Sequence, residues 1–340
     1  MAVNQAWLDQ TREAALLPEQ PIIDPHHHLW QSPPQRPGET YLAPEFLKEA
    51  ESGHRILGSV FMECNFHYLK DGPEHMRMLG ETQFIAPHVE QYSKPGHGVG
   101  NAIVAHADLG VGERVDELLE AHLAAAPSRM RGIRQTNSWD AWDGLRYSFL
   151  VIPPERLRDA QYRRGFSRLA KYNLTFDAWV FHTQLQEVVE LAGLFPGTPI
   201  VVDHTGGPLG VGPYAGRRAE VFQTWRKSIS DLARHPNVYM KLGGMGMHCI
   251  GLEWHKRPKP PTSDEVVAET RDYYLHCIEQ FTPARCMFES NFPVDKESLP
   301  AAVLWNGFKK IAAGCSDAER HDLFFGTAAR VYRMDVPLQA

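Results

Sequence analysis

The sequence contains no apolar run approaching the ~20 residues that a bilayer-spanning helix requires. Its opening stretch, MAVNQAWLDQTREAALLPEQ, carries acids where a signal peptide would carry a basic patch and an apolar core, so a cytoplasmic protein is expected. Cysteine is scarce. Cys64, Cys249, Cys277, Cys286 and Cys315 form an odd set without a CxxC pair, which excludes a disulfide framework and a cysteine-only zinc site. Positive charge is also short: the formal net charge is -6, and acids and bases are interspersed, so there is no basic face for a phosphate backbone. The partner expected is a small-molecule substrate, with no nucleic acid and no membrane; a homo-oligomer is compatible with this composition.

No composition break marks a domain boundary. The Pro/Gly clusters at 32–38, 206–216 and 256–262 fall between patterned segments and read as loops of one domain. Residues 1–20 form an N-terminal extension and 21–340 the domain. Within it, short apolar runs alternate with longer amphipathic stretches. Strands are expected at Ile22–Trp30, Ile56–Asn65, Ala102–Asp108, Met130–Thr136, Leu174–His182, Pro199–His204, Val238–Leu242 and Cys286–Asn291. Helices are expected at Val115–Ala126, Gln184–Phe195, Ala219–His235, Asp264–Phe281 and Leu299–Ala312. About eight β–α units in ~300 residues match a single-domain (β/α)8 TIM barrel. A doubly wound sheet fits less well, because no glycine fingerprint follows the first strand and polar residues end many different strands.

Three consecutive histidines close the first strand, in IIDPHHHLW. Period-two alternation sends His26 and His28 into the barrel and His27 outward, and an inward H-x-H pair can grip one metal ion. The fifth and sixth strands end in "FDAWVFHTQ" and "IVVDHTGGP", which bring His182 and His204 to the same rim of a closed barrel. Four converging histidines indicate a shared metal or catalytic cluster.

These strand ends, with "RGIRQ" of the fourth strand, "FESNFPVD" of the eighth and the closing "GTAARVYRM", resemble the amidohydrolase-related family. The nearest branch is similar to the metal-dependent barrel hydrolases that include fuconolactonase, sulfomuconolactone hydrolase and pyrone-dicarboxylate hydrolase. The resemblance runs from about Pro21 to about Met334. It implies a mononuclear site with His26 and His28 as ligands, His182 and His204 as ligands or carbonyl-polarising groups, and a strand-eight acid as ligand and general base. The chain departs at that acid: the family's Gly-Ser-Asp-Trp-Pro is here Glu289-Ser290-Asn291-Phe292-Pro293. An amide takes no proton from water and binds metal weakly. A divalent metal, zinc or manganese, is expected, with metal-free action as the alternative that Asn291 leaves open.

Three carboxylates could stand in. Glu63 comes first, because an acid within "SVFMECNF" has few structural reasons to be there; Glu289 shares the face of Asn291 deeper in the barrel; Asp295 follows in the loop. Arg134 offers a planar fork for a substrate carboxylate or carbonyl, or a structural ion pair with Glu63 or Asp295. Lys241, before the Gly243-Gly244 turn, is a second basic candidate, and the long loop after it carries His248, Trp254 and His255. Aromatic residues gather near strand ends (Trp30, Phe66, Tyr68, Trp139, Trp142, Tyr147, Phe149, Phe181, Phe292), and Trp139, Trp142 and Trp254 read as pocket walls for a ring or apolar group. Arg134, Trp139, Lys241, Trp254 and His255 are the expected substrate contacts.

The expected function is hydrolysis of a lactone or related cyclic ester. A metal-dependent non-oxidative decarboxylase of an aromatic acid is the alternative, and a catalytically inactive binding barrel is the third reading, motivated by Asn291.

Overall fold

The computed structural model describes residues 3–33, 36–94, 98–145 and 151–338. Tyr147 and Phe149 lie outside them. All eight expected strands form: β1 (Pro21–His27), β2 (Arg55–Met62), β3 (Ala102–His106), β4 (Met130–Arg134), β5 (Thr175–Ala178), β6 (Ile200–Val202), β7 (Val238–Leu242) and β8 (Cys286–Phe288). They pair in parallel, each with the next in sequence. Helices between them, α1 (Ala43–Ala50), α2 (Leu79–Tyr92), α3 (Val115–Ala125), α4 (Ala160–Phe166), α5 (Leu185–Leu194), α6 (Arg218–Ala233), α7 (Ser263–Phe281) and α8 (Ala301–Ile311), complete a (β/α)8 barrel.

Several strands stop earlier than expected. β5 ends at Ala178, four residues before His182, because the chain leaves the ladder there: Asn137 N donates to the Trp179 carbonyl and His182 N to Gly207 O. β8 likewise ends at Phe288. The segment beyond β8 then closes the barrel against β1, with Asn291 N donating to His26 O (2.9 Å), His28 N to Phe292 O (2.7 Å) and a bridge between His27 and Phe292.

Helix formation follows local chemistry. α7 opens with a capping box in which Thr262 Oγ1 accepts from Glu265 N and Glu265 accepts from Thr262 N. Its Val266, Thr270, Tyr273, Tyr274, Cys277 and Phe281 recur at three- and four-residue spacing and face the sheet, buried. One core layer lies between strands and helices; a second, of Ile23, Val60, Val104, Val201 and Met287, fills the barrel beneath the site against Phe325, Ala328 and Tyr332 of the C-terminal segment.

The N-terminal residues cross α7, α8 and the loop before α7. Thr11 donates to Pro260 O, Glu13 accepts from Ser263 N and Asn306 Nδ2, and Lys309 Nζ donates to the carbonyls of Leu16 (2.8 Å) and Leu17 (2.9 Å). Among the described residues no helix is long and apolar enough to cross a membrane.

Candidate active site

Strand alternation places the site. From β3 onward, the last inward position at or just past each strand is polar: His106, Arg134, Asp177, Asp203, Lys241 and Glu289. Register puts His106 beside Arg134 and Arg134 beside Asp177. With His26, His28 and Glu63, these side chains form one buried network under the C-terminal rim.

The network is short of positive charge. Glu63, Asp177, Asp203 and Glu289 are all fully buried, while the buried cations among them are Arg134 and Lys241. Arg134 Nε donates to Glu63 Oε1 (2.7 Å), its Nη2 to the Glu63 carbonyl, and its Nη1 lies 3.7 Å from Asp203. Lys241 Nζ donates to Asp177 Oδ1 (2.7 Å), which also accepts from the Tyr332 hydroxyl (2.5 Å), and lies 3.1 Å from Asp203. Against the upward push of burial, Arg134 holds the Glu63 carboxyl down to about 2. His204, bonded through Nδ1, does the same for Glu289, also to about 2. Burial pushes His28 down to about 3 and His26 well below the usual imidazole value, so these two rings add no charge. Four buried carboxyl groups facing two buried cations are surroundings that suit a divalent ion.

Ring tautomers follow from what each nitrogen faces. His28 Nδ1 donates to the Met62 carbonyl (2.9 Å) and His204 Nδ1 to Glu289 Oε1 (2.8 Å). His26 Nδ1 lies 2.9 Å from Glu289 Oε2, off the aligned hydrogen-bond direction, and 3.5 Å from Asp203; Lys241 Nζ stands 3.3 Å away. Arg134 Nη1 stands 3.3 Å from His26 Nε2 as Lys241 Nζ does from Nδ1, and a neutral ring accepts at one of the two. His28 Nε2, unprotonated because Nδ1 carries the ring proton, faces His26 Nε2 at 3.3 Å. Two ring nitrogens at that distance suit a shared cation, and the buried Glu289 Oε2, Asp203 oxygens and Asn291 Oδ1, which accept no aligned hydrogen bond, agree with it. His26, His204 and Glu289 also form a group whose potential ligand atoms lie within 4.8 Å of one another.

Above this network lies a cavity of about 190 Å³. His28, His204, Arg134, Thr136, Asn65 and Asn291 supply its polar lining, and Trp30, Trp179, Met247 and Val294 its apolar walls. Arg36 joins the lining, its guanidinium over the Trp30 ring at 5.0 Å and paired with Glu297. Among the described residues the lining contains no carboxylate.

Not every expected residue reaches this place. His182 sits in the turn beyond β5, its Nδ1 accepting from Leu209 N (3.3 Å) and its ring against Tyr214; burial lowers it to about 4. Lys241 lies beneath the floor, bound to carboxylates. Trp254 is buried in the helical layer, with Nε1 donating to Glu269. His255 stacks on His248 (4.0 Å), and Trp139 is half-buried with its backbone N on Gln184. Asp295 is pushed up to about 7 by burial and accepts from Gly246 N (2.9 Å) and Asn291 Nδ2 (2.7 Å). His27 faces outward and stacks on Phe46 at 4.0 Å. Sequence reasoning did not single out Asp177, Asp203, His106 or Trp179. Asp177 and Asp203 carry the signal used for Glu63, an acid inside an apolar run.

The sequence matches the family described as amidohydrolase over residues 23–334. It is 32% identical over 331 residues to the uncharacterized protein y4mH of Sinorhizobium fredii, covering 92% of this chain and 98% of that one. It is 25% identical over 340 residues to L-fucono-1,5-lactonase of Burkholderia ambifaria, covering 93% and 96%. Among solved structures, an amidohydrolase of Burkholderia multivorans with bound zinc superposes with a TM-score of 0.72 at 21% identity, over 92% of this chain and 99% of that one.

Proposed function

The chain belongs to the amidohydrolase family, and on that premise we propose that it hydrolyses a lactone or related cyclic ester whose acid portion includes a ring or apolar group. The observation that carries this reading is the pair of facing Nε2 atoms on His26 and His28, 3.3 Å apart over four buried carboxyl groups and two buried cations. The lactonase relative supports the choice of ester, and the zinc-bound structure supports a divalent ion, for which zinc is our choice.

His26 and His28 would hold that ion, which when bound supplies Lewis-acid polarisation of a carbonyl and a lowered pKa for water. The chain's own groups do the rest. Glu63 fixes the Arg134 fork at the cavity lining, where the guanidinium can meet a substrate carbonyl or carboxylate. Trp30 and Trp179 offer apolar walls to a ring, and the described lining residues include no carboxylate to oppose an anionic substrate. His204 turns its Nε2 to the cavity and can receive the proton of an attacking water.

The test combines metal content and product. Protein purified without chelator or metal resin is analysed by elemental mass spectrometry, then followed by pH-stat on carboxylated, alkyl and sugar lactones and by carbon dioxide release from aromatic acids. About one equivalent of divalent metal is expected, with acid released from lactones and turnover lost in His26→Ala and His28→Ala. Undiminished lactone hydrolysis in both variants, or carbon dioxide release without lactone opening, would end this reading.

A further inference from the structure

Two polar side chains of the eighth-strand segment approach the site from one face, two residues apart, and meet different surroundings. Glu289 is wholly buried and does not line the cavity, whereas Asn291 does. The carboxylate of Glu289 is turned to two histidines. Oε1 accepts from the backbone N (3.0 Å) and Nδ1 (2.8 Å) of His204, and Oε2 lies 2.9 Å from His26 Nδ1. The end of β7 is cut to fit this arrangement. A Cβ on Gly243 would stand 2.4 Å from Glu289 Cγ, and one on Gly244 would stand 2.4 Å from His204 Cβ and 2.8 Å from its Nδ1. Both positions must lack a side chain for the acid and the ring to sit as they do.

A carboxylate sealed under the floor does not touch substrate; it acts through the rings it holds. We propose that Glu289 is a positioning residue, which fixes the orientation and tautomer of His204 so that His204 Nε2 is the acceptor presented to substrate, while Asn291 meets substrate as a neutral amide. The proposal rests on the hydrolase reading above. Asn291 has its own reason to be an amide, since its Nδ2 donates to Asp295 Oδ1 at 2.7 Å, where an aspartate would set two carboxylates in contact.

The experiment compares the metal-loaded wild type with Glu289→Gln, Glu289→Asp and Asn291→Asp, measuring kcat and KM on a lactone the wild type opens, and imidazole ¹⁵N spectra of histidine-labelled protein. An amide has one acceptor oxygen and does not serve both His204 and His26. In Glu289→Gln the carboxamide sets an N–H donor against His204 Nδ1 or His26 Nδ1, and a shift of ring proton toward Nε2 on the facing ring is expected, visible in its ¹⁵N shifts. kcat should fall by about 10- to 100-fold with KM within about threefold, and Glu289→Asp should recover part of the loss. Asn291→Asp should not raise kcat. Wild-type kcat and unchanged ¹⁵N patterns in Glu289→Gln, or a gain in Asn291→Asp, would overturn the proposal. If the wild type opens no lactone, the hydrolase reading fails, while the tautomer comparison still decides the role of Glu289.

Discussion

Ser290 fastens the end of the barrel to its beginning through Asp24: its backbone N donates to Asp24 Oδ1 (2.9 Å) and its hydroxyl to Oδ2 (2.5 Å), both groups buried. Ser290 Oγ also accepts from Phe292 N (3.1 Å). The contact lies two residues before His26, so it sets the relative height of the histidine pair and Glu289. Ser290→Ala removes a buried hydrogen bond and leaves Asp24 Oδ2 without its partner, at a cost of about 1–3 kcal/mol. Urea unfolding should register that loss; a midpoint equal to wild type would show that the closure does not depend on the hydroxyl.

Glu63 and Arg134 form a fully buried pair. Glu63→Gln strands the guanidinium and should cost about 3–5 kcal/mol. The wild type has a matching acid signature. The Glu63 pKa is depressed in the folded chain to about 2, so its contribution is present above the ordinary carboxylate range and is lost as pH falls through that range toward 2. Melting temperatures between pH 5 and 2 should fall less steeply in Glu63→Gln than in wild type. Parallel curves would remove this pair from the acid response.

Gly244 has φ +70°, and a Cβ there would meet the His204 ring. Gly244→Ala combines backbone strain with a displaced imidazole and should cost more than about 1 kcal/mol of stability. Activity should suffer mainly in kcat, because the displaced group is the His204 ring while Trp30, Trp179 and Arg134 are untouched. Steady-state kinetics with a thermal melt separate the two effects, and a variant with wild-type kcat would show that the ring tolerates displacement.

Lys309 holds the N-terminal segment with donors to Leu16 O, Leu17 O and His54 Nδ1 (2.7 Å), and burial lowers its pKa to about 8. Its folded value lies below the unfolded one of about 10.4, so the cost of its charge is present at neutral pH and is relieved as pH rises from about 8 to 10.4. Lys309→Met should lack that relief and, with two carbonyls unsatisfied, expose residues 3–20 to faster amide hydrogen exchange. Exchange equal to wild type would show that other contacts alone hold the segment.

Much of the barrel was readable because its signals are local. Apolar runs such as Ala102–His106 and Met130–Arg134 are strands by composition and length. Alternation alone turned His26 and His28 inward and His27 outward, and the structure agrees. His182 shows the limit: the apolar run continues past Ala178, but neighbouring loops draw the backbone off the ladder, and Trp179 takes the cavity wall. Trp254 looked like a pocket wall because it sits in a rim loop, yet its indole packs into the helical layer.

The sequence by itself determined the eight β–α units, the inward H-x-H pair and the exchange of an expected aspartate for Asn291, since each depends on neighbours a few residues away. The tertiary structure alone decided that Glu63 is held by Arg134, 71 positions on, and that Glu289 lies under His204, 85 positions back. Those partnerships exist only after the barrel closes, because closure brings distant strand ends within hydrogen-bond reach and strips away the water that would otherwise satisfy each charge separately.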